Sequence, residues 1–148
     1  MINDDSIEIA APPRLVWDVF SDVERWPDWT DSVTSLAGLD GPALAVGKRF
    51  AIKQPGMQKL VWRVTEIDPG SSWTWVQRSP GVRVTARHWV IARPGGHTLV
   101  RQQLEQRGAL GALVGRLMAK KTKRFLELEA QGLKARSEHL GRANGPQS

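Results

Sequence analysis

The chain has no cysteine, no tyrosine and only three histidines in 148 residues. Without cysteine, neither a disulfide framework nor thiolate chemistry is available. His88, His97 and His139 are scattered, so no zinc-ligand spacing arises and no metal site is expected. No GxGxxG or P-loop pattern occurs, and no Ser/His/Asp set is indicated by spacing. No cofactor is therefore expected. The first residues, with Asp4, Asp5 and Glu8, are acidic where a signal peptide is basic and then apolar. The most membrane-like run, Ala109 to Ala119, contains Arg116 and falls far short of the ~20 residues of a span. A cytoplasmic protein is the simplest expectation.

What is present suits one folded domain. The length fits a single domain, and 41% hydrophobic with 24% charged residues supplies a core and an ordinary polar surface. Seven Trp stand beside three Phe, an aromatic choice that serves cores and ligand pockets equally. The net charge of +6 is uneven: residues 1–31 hold eight acids and two bases, the remainder nineteen bases and seven acids. Either the acidic segment packs beside a basic C-terminal helix, or the basic part meets an anionic partner.

Along the chain, Ser6–Ala10 alternates as a first strand and ends at Ala11-Pro12-Pro13, where Pro suits a helix start. Val16, Trp17, Val19, Phe20 and Val23 keep helical spacing until Trp26-Pro27-Asp28-Trp29 breaks it, and a short helix or turn is expected over Val23–Trp29. Six strands are then predicted: Ser32–Leu39, Arg49–Gln54, Lys59–Ile67, Ser72–Arg78, Val82–Arg93 and Thr98–Arg107. Pro55-Gly56, Pro69-Gly70, Pro80-Gly81 and Pro94-Gly95 separate most of them, which argues an antiparallel meander. From Ala109 to about Leu140 there is no Pro, and Leu110, Leu113, Val114, Leu117, Met118, Phe125 and Leu128 form a helical stripe. Gly111, Gly115 and Gly132 interrupt this helix, which close packing against the sheet or the short helices would rationalise. Residues 1–140 are expected to form one α+β domain, a curved antiparallel sheet of about seven strands wrapped around the long helix, and 141–148 a flexible tail.

Two stretches carry a family likeness. Ile9-Ala10-Ala11-Pro12-Pro13 with Val16-Trp17, followed by Ser21-Asp22-Val23-Glu24-Arg25-Trp26-Pro27-Asp28-Trp29, resembles the opening of START-like (SRPBCC) domains, in their polyketide cyclase/dehydrase and lipid-transport branch. Val64–Pro69, the Pro94–Thr98 hairpin leading to Gly108, and Gly132-Leu133-Lys134 extend the likeness over about residues 6–136. The resemblance implies a helix-grip fold with a cavity between sheet and helix. Lipid carriers, hormone-type receptors and aromatase/cyclases share that fold, so fold alone does not assign an activity. Some cyclase branches use polar cavity groups including Tyr, which this chain lacks.

Alternation turns Val82, Val84, Ala86, His88 and Val90 inward on one strand and Val100, Gln102 and Leu104 on the last. Trp62 and Val64, then Trp73, Trp75 and Gln77, share faces in the same way. His88 is either a proton shuttle near neutral pH or a core histidine with one hydrogen-bond partner. Gln102 either meets a ligand or satisfies a buried backbone group. Lys121 falls on the centre line of Leu110, Val114, Leu117 and Leu128, so it either faces a wet cavity or snorkels past Leu117. Candidate cavity walls are Trp62, Trp75, Val84, Val90, Val100, Leu117, Met118 and Phe125, with His88, Gln102 and Lys121 as polar points; no catalytic residue is assigned.

Three functions compete. The first is binding of an apolar small molecule of lipid or polyketide/aromatic type. The second is a cyclase, aromatase or dehydratase acting on a poly-keto substrate through His88, Gln102 and Lys121. The third is an interaction surface made by Arg78, Arg83, Arg87 and Arg101 with Trp89, beside Lys120, Lys123 and Arg124. For that third face an anionic membrane is the partner kept open and nucleic acid is not expected, a solvated basic face being the simpler account. No oligomeric state is indicated.

Overall fold

In a computed structural model, residues 1–143 are described. The elements are β1 (Ile2–Ile9), α1 (Pro13–Ser21), a 3-10 helix (Val23–Asp28), β2 (Ser35–Gly38), β3 (Arg49–Lys53), β4 (Leu60–Asp68), β5 (Ser72–Ser79), β6 (Val82–Arg93), β7 (His97–Arg107) and α2 (Gly111–Ala143). This is the expected order of strand, short helices, six strands and long helix. The helix runs on through residues 141–143, the start of the expected tail; 144–148 lie outside the described residues.

The seven strands form one antiparallel sheet in the order β1-β7-β6-β5-β4-β3-β2. Consecutive hairpins build it from β2 to β7, and β1 returns to the free edge of β7. A bulge between Val64 and Glu66 shifts the register of β4 on β5. The inward parity changes there, from Trp62 and Val64 to Ile67, and such a bulge bends and twists the strand. The sheet can therefore curl around α2.

Pro13 opens α1 at its first turn, where its missing N–H has no partner to lose. Phe20 of this helix is fully buried and stacks on Trp26, with Trp73 against its other contacts at 4.7 Å between ring centroids. The indole Nε1 of Trp26 donates to the Phe20 carbonyl at 2.9 Å, tying the 3-10 helix to α1. Ile9, Val16, Val90, Val100 and Leu133 complete this core between α1, the sheet and the second half of α2.

Helix α2 is 33 residues long, about 50 Å at 1.5 Å rise. Its buried positions are Gly111, Gly115, Thr122, Leu126, Glu129, Ala130, Leu133 and Ser137. The expected stripe is therefore rotated: Leu113 and Leu117 face outward, Val114, Met118 and Phe125 keep to the inner side, and Leu110 precedes the helix. Glycine marks the true contact line. A Cβ on Gly132 would stand 1.9 Å from the Trp29 carbonyl oxygen, and one on Gly115 would stand 2.7 Å from Met1 Cβ. Among the described residues, no helix is long and apolar enough to cross a membrane.

Candidate functional site

Strand register sorts the concave face into cross-strand rows. One row runs Trp73, His88, Gln102 and Asp5 across β5, β6, β7 and β1. The next runs Val64, Trp75, Ala86 and Leu104, and the third Phe50, Trp62, Gln77, Val84 and Gln106. The first half of α2 lies over these rows without filling the space beneath it. A cavity of about 410 Å³ remains, within the ~300–1,000 Å³ usual for small-molecule sites. Its exposed lining residues are Gly56, Gln58 and Pro80, from the β3–β4 loop and the β5–β6 turn, and these mark the mouth.

Of the eleven residues expected at the site, Trp62, Trp75, Val84, His88, Gln102, Met118, Lys121 and Phe125 line this cavity. Val90 and Val100 do not. They form the row beyond His88 and Gln102, where α1 closes the face and both pack into the core with Val16 and Phe20. Leu117 does not either; it is 76% exposed, because the helix is rotated from the expected phase. Lys121 sits at the mouth rather than on the buried line, its Nζ 3.5 Å from the Gly56 carbonyl oxygen. Gln77, which shares its face with Trp75, also lines the space; so do Trp26, Gln106, Thr122 and Glu129, which the sequence pattern does not single out. The spacing of Gly111, Gly115 and Thr122 carried the signal for Glu129, since those positions share its helical face.

The polar groups of the cavity have distinct states. His88 is buried, its ring stacked on Trp73 at 4.0 Å, with Nδ1 3.2 Å from the Trp73 carbonyl oxygen. A carbonyl oxygen only accepts, so Nδ1 carries the proton. Burial holds the imidazole pKa down to about 3, against the opposing effect of that bond, and the ring is neutral. Its Nε2 is left as a lone-pair acceptor. Directly opposite on β7, Gln102 is 2% exposed, and neither Nε2 nor Oε1 of its amide has a protein partner. Gln106 Oε1 is likewise unpartnered, whereas Gln77 Nε2 donates to Ser79 Oγ at 2.5 Å.

From the helix side, burial pushes the Glu129 carboxyl up to about 8; the Ser32 hydroxyl offsets part of this, and the Asp5 carboxyl adds to it. Glu129 is therefore protonated through neutral pH and acts as a donor. The arrangement is a largely apolar chamber whose polar points include the His88 acceptor, the Gln102 and Gln106 amides and the Glu129 carboxylic acid. Among the described residues no group of three or more His, Asp or Glu is placed to hold a metal ion.

Part of the basic outer sheet is engaged within the fold. Arg87 and Arg107 reach Glu105 at 3.2 and 2.7 Å, and Arg101 reaches Asp4 at 3.1 Å while lying 5.0 Å from the Trp89 ring centroid. The acidic N-terminal segment thus packs beside basic strands, and it meets the C-terminal helix where Lys134 Nζ donates to the Glu8 carbonyl at 3.2 Å.

Residues 4–138 match the family described as polyketide cyclase/dehydrase and lipid transport. A Streptomyces cyaneus protein named as a candidate polyketide cyclase is 27% identical over 107 residues, 59% of this chain and 68% of its own. An aromatase/cyclase from a Streptomyces species has a similar structure, with TM-score 0.76, 18% identity and 98% of each chain covered. Norcoclaurine synthase from Thalictrum flavum, solved with a transition-state analogue, gives TM-score 0.74 at 14% identity over 93% of each chain. A START superfamily protein from Mycobacterium smegmatis gives 0.71 at 19% identity, over 94% of this chain and 98% of its own. At these identities the structural likeness carries the fold alone, a helix-grip architecture.

Proposed function

Because this chain belongs to the polyketide cyclase/dehydrase and lipid-transport family, we propose that its cavity binds an apolar small molecule, of lipid or polyketide/aromatic type, bearing a hydroxyl or carbonyl group. The observation that carries this reading is Gln102. A buried amide with both polar atoms unpartnered costs about 1–3 kcal/mol per group. A ligand oxygen beside it removes that cost, and His88 Nε2 accepts from a hydroxyl on the same compound. The apolar walls, Trp26, Trp62 and Trp75 among them, supply most of the affinity, while the polar points fix orientation.

Titration with long-chain and polycyclic aromatic compounds is expected to change tryptophan emission saturably. Gln102→Leu is expected to weaken oxygenated ligands roughly tenfold, one hydrogen-bonded group's worth, while leaving hydrocarbon analogues unaffected. Absence of any saturable response across such a panel, with no ligand retained in native mass spectra, overturns the reading.

One observation favours a second reading, an enzyme of cyclase, aromatase or dehydratase type. Glu129 from the helix and His88 from the sheet set a proton donor and an acceptor around one apolar chamber. Donation to a ketone oxygen by Glu129, with the α-proton passing to His88 Nε2, gives the enol whose carbon attacks a second carbonyl in intramolecular carbon–carbon bond formation. Under this reading, a bound poly-keto compound loses water on incubation, and Glu129→Gln abolishes that loss while binding persists. An unaltered compound after prolonged incubation leaves the protein a binder only.

A further inference from the structure

Two leucines of α2 find no cover in this fold. Leu113 and Leu117 are 55 and 76% exposed. At about 100° per residue they stand about 40° apart, with Arg124 between them, Lys120 about 20° beyond Leu113, and Arg116 and Lys123 farther round on that same side. No acidic residue occurs between Glu105 and Glu127. None of these four cations forms an ion pair among the described residues, in contrast to the sheet arginines held by Glu105 and Asp4. The same turns present Val114, Met118 and Phe125 to the cavity on their other side, and Lys121 to its mouth.

We infer that this face of α2 docks the protein on an anionic lipid bilayer, with the cavity mouth held at the membrane surface. An interfacial helix needs an apolar strip that enters the acyl boundary and cations that reach the headgroups, and both are here on one exposed face. Leu113 and Leu117 stand outside the cavity lining as exposed helical side chains, which suits a fluid bilayer better than the shaped surface of a folded partner. Its cations select anionic headgroups. The inference rests on the binding reading, since a bilayer is where an apolar ligand is concentrated.

Co-sedimentation with vesicles tests it. The protein is expected to pellet with phosphatidylcholine vesicles containing about 30 mol % phosphatidylglycerol, and not with phosphatidylcholine alone. Leu113→Gln with Leu117→Gln is expected to lower the partition coefficient roughly tenfold or more, because two buried leucines are lost from the contact. The same double variant keeps the parent's thermal midpoint and its ligand-induced change in tryptophan emission. Docking is overturned if the protein stays in the supernatant with both vesicle types. It is also overturned if the leucine pair leaves pelleting unchanged; retention on an acidic polypeptide column alone then assigns the face to an acidic protein. Loss of the ligand response with vesicle binding intact overturns the binding reading and leaves docking supported.

Discussion

Glu129→Gln is expected to raise stability by ~4–5 kcal/mol above pH 8 and to leave it nearly unchanged below pH 4.5. The folded carboxyl keeps its proton up to about pH 8, whereas in the unfolded chain it ionises near 4.5. Between those values folding takes up a proton, so stability falls as pH rises, and glutamine removes that loss. His88 works in the opposite direction. Its folded pKa of about 3 lies below 6.5, so the unfolded chain binds a proton the folded chain refuses, and stability rises with pH over that range. From pH 4.5 to 6.5 the two slopes cancel, which puts a plateau there. The acid limb is shared with carboxyls held low by hydrogen bonds, Asp40 by Arg49, Glu105 by Arg107 and Glu138 by Lys134. Asp5, which faces Glu129 from β1, is itself raised by burial and by Glu127. Urea midpoints from pH 4 to 9 check this, and parallel curves for parent and variant would show that Glu129 is ionised in the fold.

Phe20→Ala is expected to cost ~3–5 kcal/mol, the range for a fully buried aromatic truncated to methyl. The ring is a hub. Its centroid lies 4.7 Å from Trp73, 5.5 Å from Trp26, 5.5 Å from His88 and 6.5 Å from Trp29. The neighbours are three indoles and an imidazole braced by contacts with one another, and they cannot collapse into the space. The loss also frees the Trp73–His88 stack, which sets the imidazole on the cavity wall, so near-ultraviolet dichroism of the coupled indoles is expected to weaken. A urea midpoint equal to the parent's would remove Phe20 from the core.

The sheet was legible because each strand carried its own signals. Alternation gave Val82–Arg93 its inward face, and Pro-Gly pairs bounded the hairpins. Alternation does not say which part of a face is roofed by which helix. Val90 and Val100 share parity with His88 and Gln102, yet α1 covers them and a cavity faces the others. The phase of α2 was not legible from its leucines. A periodicity argument assumes that the apolar side chains are the buried ones, but this helix comes close to Met1 at Gly115 and to the Trp29 carbonyl after the 3-10 helix at Gly132, and it spans an open chamber between them. Those constraints favour glycine and admit Thr122 and Glu129, while the leucines turn outward. Glu129, next to Leu128 and Glu127, reads as surface in a charged stretch. Trp26 reads as part of a helix break, although its indole closes one end of the chamber.

The pairing of β1 with β7 sets Ile2 opposite Glu105, so the first strand finds its partner only after most of the chain has formed. The hairpins from β2 to β7 close over short loops, and their closure entropy is small. During synthesis those strands can therefore assemble first, with the concave face bare. The roof arrives last, since α2 follows every strand and spans Gly111–Ala143. Until it emerges, seven strands present a sticky apolar trough to the crowded surroundings of the ribosome. Maturation thus hinges on α2, and the interval before it docks is when the nascent domain most needs shielding.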